Sequence, residues 1–286
     1  MNFDVLNDIK HDRLGIEVYT TTHCNLKCRG CSRFSNISKP HFYDLKTFEE
    51  DMNHLKSIGC KLSYLTMTGG EPLLHPELID FIKIGYSYFP NSRLCILTNG
   101  MLFNKQKQEF YDVLRELFVT VTYSKYRTDM INYDALLALC RENNINHYNI
   151  NTSSKFYIKT DMYKSAFTIC PLTIKSNGRS IVYKKGICNM DCTCIFNGKI
   201  FQCGTACNSF ILNEKYNIDV TSDTDYMNIS ETRNRFDIYD FLLQPTKMCD
   251  HCFNVDCKNT IWSKISDLDI EDRESIIKND AINTEV

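Results

Sequence analysis

The sequence predicts an α/β protein built on a parallel sheet, and three observations carry that prediction. Short apolar runs alternate with helix-period stripes from Gly15 to about Asn151. The runs have strand length, and the stretches between them are long enough for helical crossovers. The residues best suited to chemistry, a cysteine group, a glycine pair and an Asn-Gly turn, fall just after the first, second and third runs. Repeated strand-helix units of this kind imply right-handed crossovers, with the sheet either open or curled into a partial barrel.

Taken in order, the predicted strands are Ile16 to Thr20, Ser63 to Thr68, Leu94 to Thr98, Phe118 to Tyr123 and His147 to Ile150. The clearest helix carries Leu45, Phe48, Met52, Leu55 and Ile58 on one stripe, with Asp44 or Thr47 as N-cap and Thr47 and Glu50 at capping-box spacing. Others are expected to begin near Pro76, near Lys105 and near Tyr133. In this architecture reactive groups sit in the loops after the carboxyl ends of the strands. Cys24-Asn-Leu-Lys-Cys28-Arg-Gly-Cys31, Gly69-Gly70-Glu71-Pro72 and Thr98-Asn99-Gly100 therefore share one mouth.

After about Asp161 the pattern changes: turn residues multiply, regular helices thin out, and nine of the fifteen cysteines lie from Cys170 onward. The division expected is a barrel core at 1–160, a cysteine-rich module at 161–262 and a charged tail at 263–286. Within the module, Cys194 to Gln202 reads as a hairpin turning at Asn197-Gly198, and a helix is expected from Ser230 to Leu243.

Bulk properties exclude several classes. The chain has 286 residues, 43% hydrophobic and 24% charged, enough for a full-sized core. A formal net charge of -2 gives no footprint for nucleic acid. No run approaches bilayer-spanning length and the first residues lack a secretory apolar stretch, so the expectation is a cytoplasmic protein away from membranes. Fifteen cysteines in such a chain point to metal or catalysis rather than disulfides. Isolated Cys60, Cys95 and Cys140 read as small core hydrophobes.

Cys24, Cys28 and Cys31 place three thiolates on one short loop. A four-iron cube takes four ligands, so three cysteines leave one iron open for a small molecule. Structural zinc would want a fourth protein ligand nearby, and His23 is too close in the chain to Cys24 for easy shared chelation.

At these residues the sequence resembles the radical SAM superfamily, whose signature is three cysteines separated by three and then two residues, followed by a Gly-Gly-Glu-Pro stretch after the next strand. The resemblance implies a partial (β/α)6 TIM-like barrel and a 4Fe-4S cluster on Cys24, Cys28 and Cys31. Its open iron would bind S-adenosylmethionine, and reductive cleavage would yield a 5'-deoxyadenosyl radical that abstracts hydrogen from a substrate. By position, Gly69, Gly70, Glu71 and Pro72 would line the methionine end of the cofactor, Ser124 would contact its ribose, and Asn99 would contribute if it does more than turn the chain. Gly30 stands where many members have an aromatic residue against the adenine.

The C-terminal module resembles the Twitch form of the SPASM domain, which implies an auxiliary 4Fe-4S cluster on Cys188, Cys203, Cys249 and Cys252, with Gly198 at the required spacing. Cys192 and Cys194 compete with Cys188 for the first position, Cys207 and Cys257 are spare, and a four-cysteine zinc site is the alternative.

Such proteins oxidise a small polar metabolite or modify peptides. With the first cluster cysteine at residue 24, a preceding leader-recognition domain is not expected. The expected substrate is therefore a sugar, nucleotide-sugar or amino acid, with peptide maturation or a zinc-stabilised interaction protein as alternatives. An electron donor such as flavodoxin or ferredoxin would complete the system. Lys125, Tyr126, Arg127 and Lys155 lie near the mouth, but none is assigned as catalytic base.

Overall fold

Each of the five predicted strands forms, and they stand side by side in chain order. The computed structural model describes residues 9–28, 31, 33–124, 131–149, 166–169, 193–216, 223–251 and 258–261. β1 (Leu14–Thr21), β2 (Leu62–Gly69), β3 (Arg93–Thr98), β4 (Thr120–Tyr123) and β5 (His147–Asn149) are all parallel. Between them run α1 (Leu45–Ser57), α2 (Leu78–Tyr88), α3 (Gln108–Glu116) and α4 (Tyr133–Glu142).

The register sorts side chains into two faces. Ile16 and Val18 pair with Leu65 and Met67, which pair in turn with Leu94 and Ile96, and Ile96 pairs with Val121. This apolar face meets the helices: α2 lays Gly85 against Leu65 and Met67, and Phe48, Met52, Leu55 and Phe81 are fully buried. The other face mixes polar and apolar side chains, with Glu17 opposite Thr66, Tyr19 opposite Thr68 and Leu97 opposite Thr122. Parallel sheets covered on both sides are ordinarily apolar throughout. Here one face buries Glu17 and the threonines Thr66, Thr68 and Thr122.

Local boundaries depart from expectation where turn chemistry intervenes. Asp44, not Thr47, caps α1, accepting from the Thr47 amide at 2.8 Å. Phe118 falls outside β4 because it takes φ 54° at the end of α3, and α3 starts late because Phe103–Lys105 forms a 3-10 turn. The expected 230–243 helix shortens to an eight-residue helix, Arg235–Leu242, behind a capping box of Asn234 and Asp237.

The C-terminal segment does not build a separate sheet from its hairpin. β6 (Ala166–Ile169) pairs with β10 (Lys258–Ile261). β7 (Cys194–Phe196) adds parallel to the free edge of β1, and β8 (Lys199–Phe201) and β9 (Tyr226–Asn228) follow it antiparallel. The sheet order is β5-β4-β3-β2-β1-β7-β8-β9. Among the described residues the position beside β1 is thus filled by the C-terminal hairpin rather than by a sixth consecutive strand-helix unit. Asn197 and Gly198 both take positive φ, 45° and 78°, the geometry of a tight primed hairpin turn. The Gly198 amide donates to Asp51 of α1 at 3.2 Å, and Asp51 also accepts from the Tyr43 hydroxyl. Burial pushes the Asp51 carboxyl up to about 6.

A helix not foreseen, α5 (Gly204–Tyr216), follows β8 and packs on the hairpin. The helix at Arg235–Leu242, α6, completes the described set. Among the described residues no helix is long and apolar enough to cross a membrane.

Candidate active site at the mouth of the sheet

The cysteine loop leaves β1 at Thr21 and is held by hydrogen bonds on both sides. Thr22 Oγ1 donates to the Lys39 carbonyl at 2.9 Å and Thr21 Oγ1 to the His41 carbonyl at 2.7 Å, closing the loop on its return. On the other flank, the Gly70 amide donates to Thr21 O at 2.7 Å and the Glu71 amide to His23 O at 2.8 Å. The glycine pair makes this approach possible. A Cβ at Gly69 would overlap the Thr21 carbonyl, and one at Gly70 would lie 2.6 Å from the His23 carbonyl carbon and 2.7 Å from Thr22 O. Gly69 also sits at φ 125°.

Glu71 is completely buried and ties the second loop to the third. Its Oε1 accepts from the Leu73 amide (3.2 Å) and from Thr98 Oγ1 (2.7 Å), and its Oε2 accepts from the Asn99 amide (2.8 Å). Desolvation pushes its carboxyl up to about 7, against the downward pull of those hydrogen bonds. Pro72 is buried and opens the short 3-10 turn Pro72–Leu74. The Glu71 carboxylate therefore orients loop backbone, while the edge of the Gly70 backbone is the partly open part of the motif.

Asn99 joins the same assembly. Its Nδ2 donates to Asn25 Oδ1 at 2.8 Å and lies 4.0 Å from Cys24 Sγ, and its Oδ1 accepts from the Met101 amide at 2.9 Å. Ser124 is buried, its amide bonded to Thr98 O at 2.9 Å and its carbonyl accepting from the Tyr133 hydroxyl at 3.1 Å.

Cys24, Cys28 and Cys31 are all free of disulfides; Cys28 is buried and the other two are half-buried. Cys28 and Cys31 lie near enough to act electrostatically on Cys24, whose thiol burial pushes up strongly. The Leu26 amide points at Cys24 Sγ from 3.4 Å. Iron would replace that proton, and N–H groups aimed at sulfur stabilise a bound thiolate. Among the described residues no three His, Cys, Asp or Glu side chains crowd tightly enough to hold a single metal ion. A four-iron cube is larger than one ion and takes its thiolates on separate corners. One loop carrying three unbridged thiols fits it.

Farther along, the Ala206 amide approaches Cys203 Sγ at 3.5 Å and the Thr246 amide approaches Cys249 Sγ at 3.4 Å. α5, which begins directly after Cys203, touches the 3-10 turn Lys247–His251 that carries Cys249. Cys194 and Cys207 are buried. Gly30, Cys188, Cys192, Cys252, Cys257, Lys125, Tyr126, Arg127 and Lys155 lie outside the described residues. Cys60, Cys95 and Cys140 are buried in the core, as expected.

Sequence reasoning missed three residues at the mouth. Arg33 Nη1 donates to Gly69 O at 3.4 Å, its Nε donates to the Tyr19 hydroxyl at 2.9 Å, and its Nη2 pairs with Glu17 at 3.2 Å. The signal was Glu17 itself, a carboxylate inside an otherwise apolar strand.

Parallel strands and crossover helices define a mixed α/β class, with a loop of three disulfide-free cysteines at the carboxyl end of the first strand. Residues 18–124 match the radical SAM superfamily, and the chain carries a radical SAM domain there. The curated relatives include GTP 3',8-cyclase of Sulfurimonas denitrificans, 32% identical over 108 residues, covering 37% of this chain and 34% of that one. GTP 3',8-cyclase of Microcystis aeruginosa is 28% identical over 120 residues, covering 41% and 35%. The matches thus span about a third of the length of these relatives. Among solved structures, BtrN in complex with AdoMet and 2-DOIA shares the fold, with TM-score 0.50 and 16% identity over 84% of this chain and 93% of that one.

Proposed function

We propose that this protein is an S-adenosylmethionine-cleaving enzyme that abstracts hydrogen from a small polar metabolite, and that the outcome is a net oxidation. Cys24, Cys28 and Cys31 would hold a 4Fe-4S cluster, and that group supplies the electron that cleaves the sulfonium cofactor. The observation that carries the proposal is the fixing of the cysteine loop by the Gly69-Gly70 backbone and by Asn99, at the carboxyl ends of parallel strands. The backbone around Gly69, Gly70 and Pro72, with Glu71 orienting it, would receive the methionine end, while Gly30 would face the adenine and Ser124 the ribose.

Preference for a polar substrate rests on the threonine-bearing face of the sheet, where the buried hydroxyls of Thr68 and Thr122 have no hydrogen-bond partner among the described residues. An auxiliary 4Fe-4S cluster on Cys188, Cys203, Cys249 and Cys252, in a Twitch-like module at 161–262, would accept the second electron. The amides aimed at Cys203 and Cys249 support that assignment. Flavodoxin or ferredoxin would serve as donor, in the cytoplasm.

The test is product analysis. After anaerobic reconstitution and reduction, the protein converts S-adenosylmethionine to 5'-deoxyadenosine, measured by mass spectrometry. Sugars, nucleotide-sugars, amino acids and, because the relatives are named GTP 3',8-cyclase, GTP are offered in turn, and the substrate is the compound that exchanges deuterium with the product. No 5'-deoxyadenosine with any of them would refute the proposal.

A further inference from the structure

Two residues beyond Cys31, Arg33 turns its guanidinium away from solvent. It pairs with Glu17, donates to the Tyr19 hydroxyl and to the Gly69 carbonyl, and stands 5.2 Å from the Tyr19 ring centre. Only 4% of the Glu17 side chain and 22% of the Arg33 side chain are exposed. A pair this buried gains little net stability over apolar substitutes, yet breaking it from one side leaves a buried charge without this counter-charge, which is strongly destabilising. What distinguishes this pair is its place. One cation joins the far end of the cysteine loop to the inner wall of β1 and to the start of the glycine loop. Its charge also acts on Glu71, and Glu71 acts on Cys24.

Resting on the reading that Cys24, Cys28 and Cys31 carry a cluster, we propose that the Glu17–Arg33 pair anchors the cysteine loop and sets the electrostatic potential at that cluster from inside the sheet. Both are positioning residues. The reduced cluster is the more negative form, so a nearby negative charge lowers the midpoint potential and a nearby positive charge raises it.

Opposite signs in the two single variants separate this role from a merely structural one. The experiment is a redox titration of the reconstituted full chain, following the electron paramagnetic resonance signal that is lost when Cys24, Cys28 and Cys31 are all replaced by alanine. Glu17→Gln removes a negative charge and raises the midpoint; Arg33→Gln removes a positive charge and moves it the other way. Arg33→Lys keeps the charge without the planar fork, so it holds the midpoint near wild type while iron is lost faster on chelator challenge. A rise in both glutamine variants, or no rise in Glu17→Gln, overturns the inference. If Arg33→Gln does not retain iron, Glu17→Gln decides alone by the same criterion. Wild-type protein that takes up no iron at this site would contradict the underlying cluster assignment, a result distinguishable from failure of the pair's role.

Discussion

Replacing Gly70 with alanine is the sharpest perturbation of the mouth. The new Cβ would lie 2.6 Å from the His23 carbonyl carbon and 2.7 Å from Thr22 O, all backbone atoms of the strand exit that leads to Cys24. Ordinary carbon contacts are about 3.5–4.0 Å, so the two loops must part by about 1 Å. Two hydrogen bonds cross that gap, Gly70 N to Thr21 O and Glu71 N to His23 O. Losing both costs about 2 kcal/mol, and the forced contact adds about 1–3 kcal/mol. At about 2–4 °C per kcal/mol for a chain of this size, melting should fall by at least about 5 °C. Iron bound after reconstitution should fall with it, because the shift moves His23 and Cys24 together. The assay is thermal denaturation monitored by circular dichroism, paired with iron and sulfide determination. A Gly70→Ala protein that melts within a degree of wild type and binds wild-type iron would refute the claim that backbone contact holds the cysteine loop.

Other predictions follow from buried charges and caps. Because the Glu71 carboxyl is raised from 4.5 to about 7, its contribution is fully present below pH 4.5 and is lost as pH rises through 7. Wild-type stability measured by urea denaturation of the apo-protein should therefore fall relative to Glu71→Gln by about 3 kcal/mol over that interval; a pH-independent difference would contradict the assignment. Asp44→Ala removes the acceptor of the Thr47 amide and should cost about 1 kcal/mol in the same assay without changing iron content. Asp51→Asn should loosen the hairpin from α1, seen as faster amide exchange at Gly198 than in wild type.

What the sequence made legible was local. Alternating apolar runs placed β1 to β5, and the Asn197-Gly198 pair announced its hairpin because few residues tolerate two successive positive φ angles. The cysteine and glycine motifs could be placed at one mouth because both follow strands of a parallel sheet. Long-range geometry was not legible. Nothing near Cys194 indicates that β7 will add to the edge of β1, more than 170 positions away in the chain. α5 escaped notice because Gly204-Thr-Ala-Cys-Asn-Ser carries no apolar stripe, its helix being held by packing and by polar side chains such as Asn208, which bonds back to the Gly204 carbonyl. Arg33 carries no motif of its own, and only the fold sets it against Glu17. Glu71 looked like a cofactor contact, and only coordinates reveal how three loop donors meet its carboxylate.

The proposed function requires three sulfurs on the β1 loop to hold an iron cluster with one corner available to S-adenosylmethionine. Electron paramagnetic resonance of the reduced, reconstituted protein, recorded before and after adding S-adenosylmethionine, tests it most directly. The expected result is a 4Fe-4S signal whose shape changes on addition and which disappears when Cys24, Cys28 and Cys31 are replaced. A signal indifferent to the cofactor, or one that survives that replacement unchanged, would contradict it.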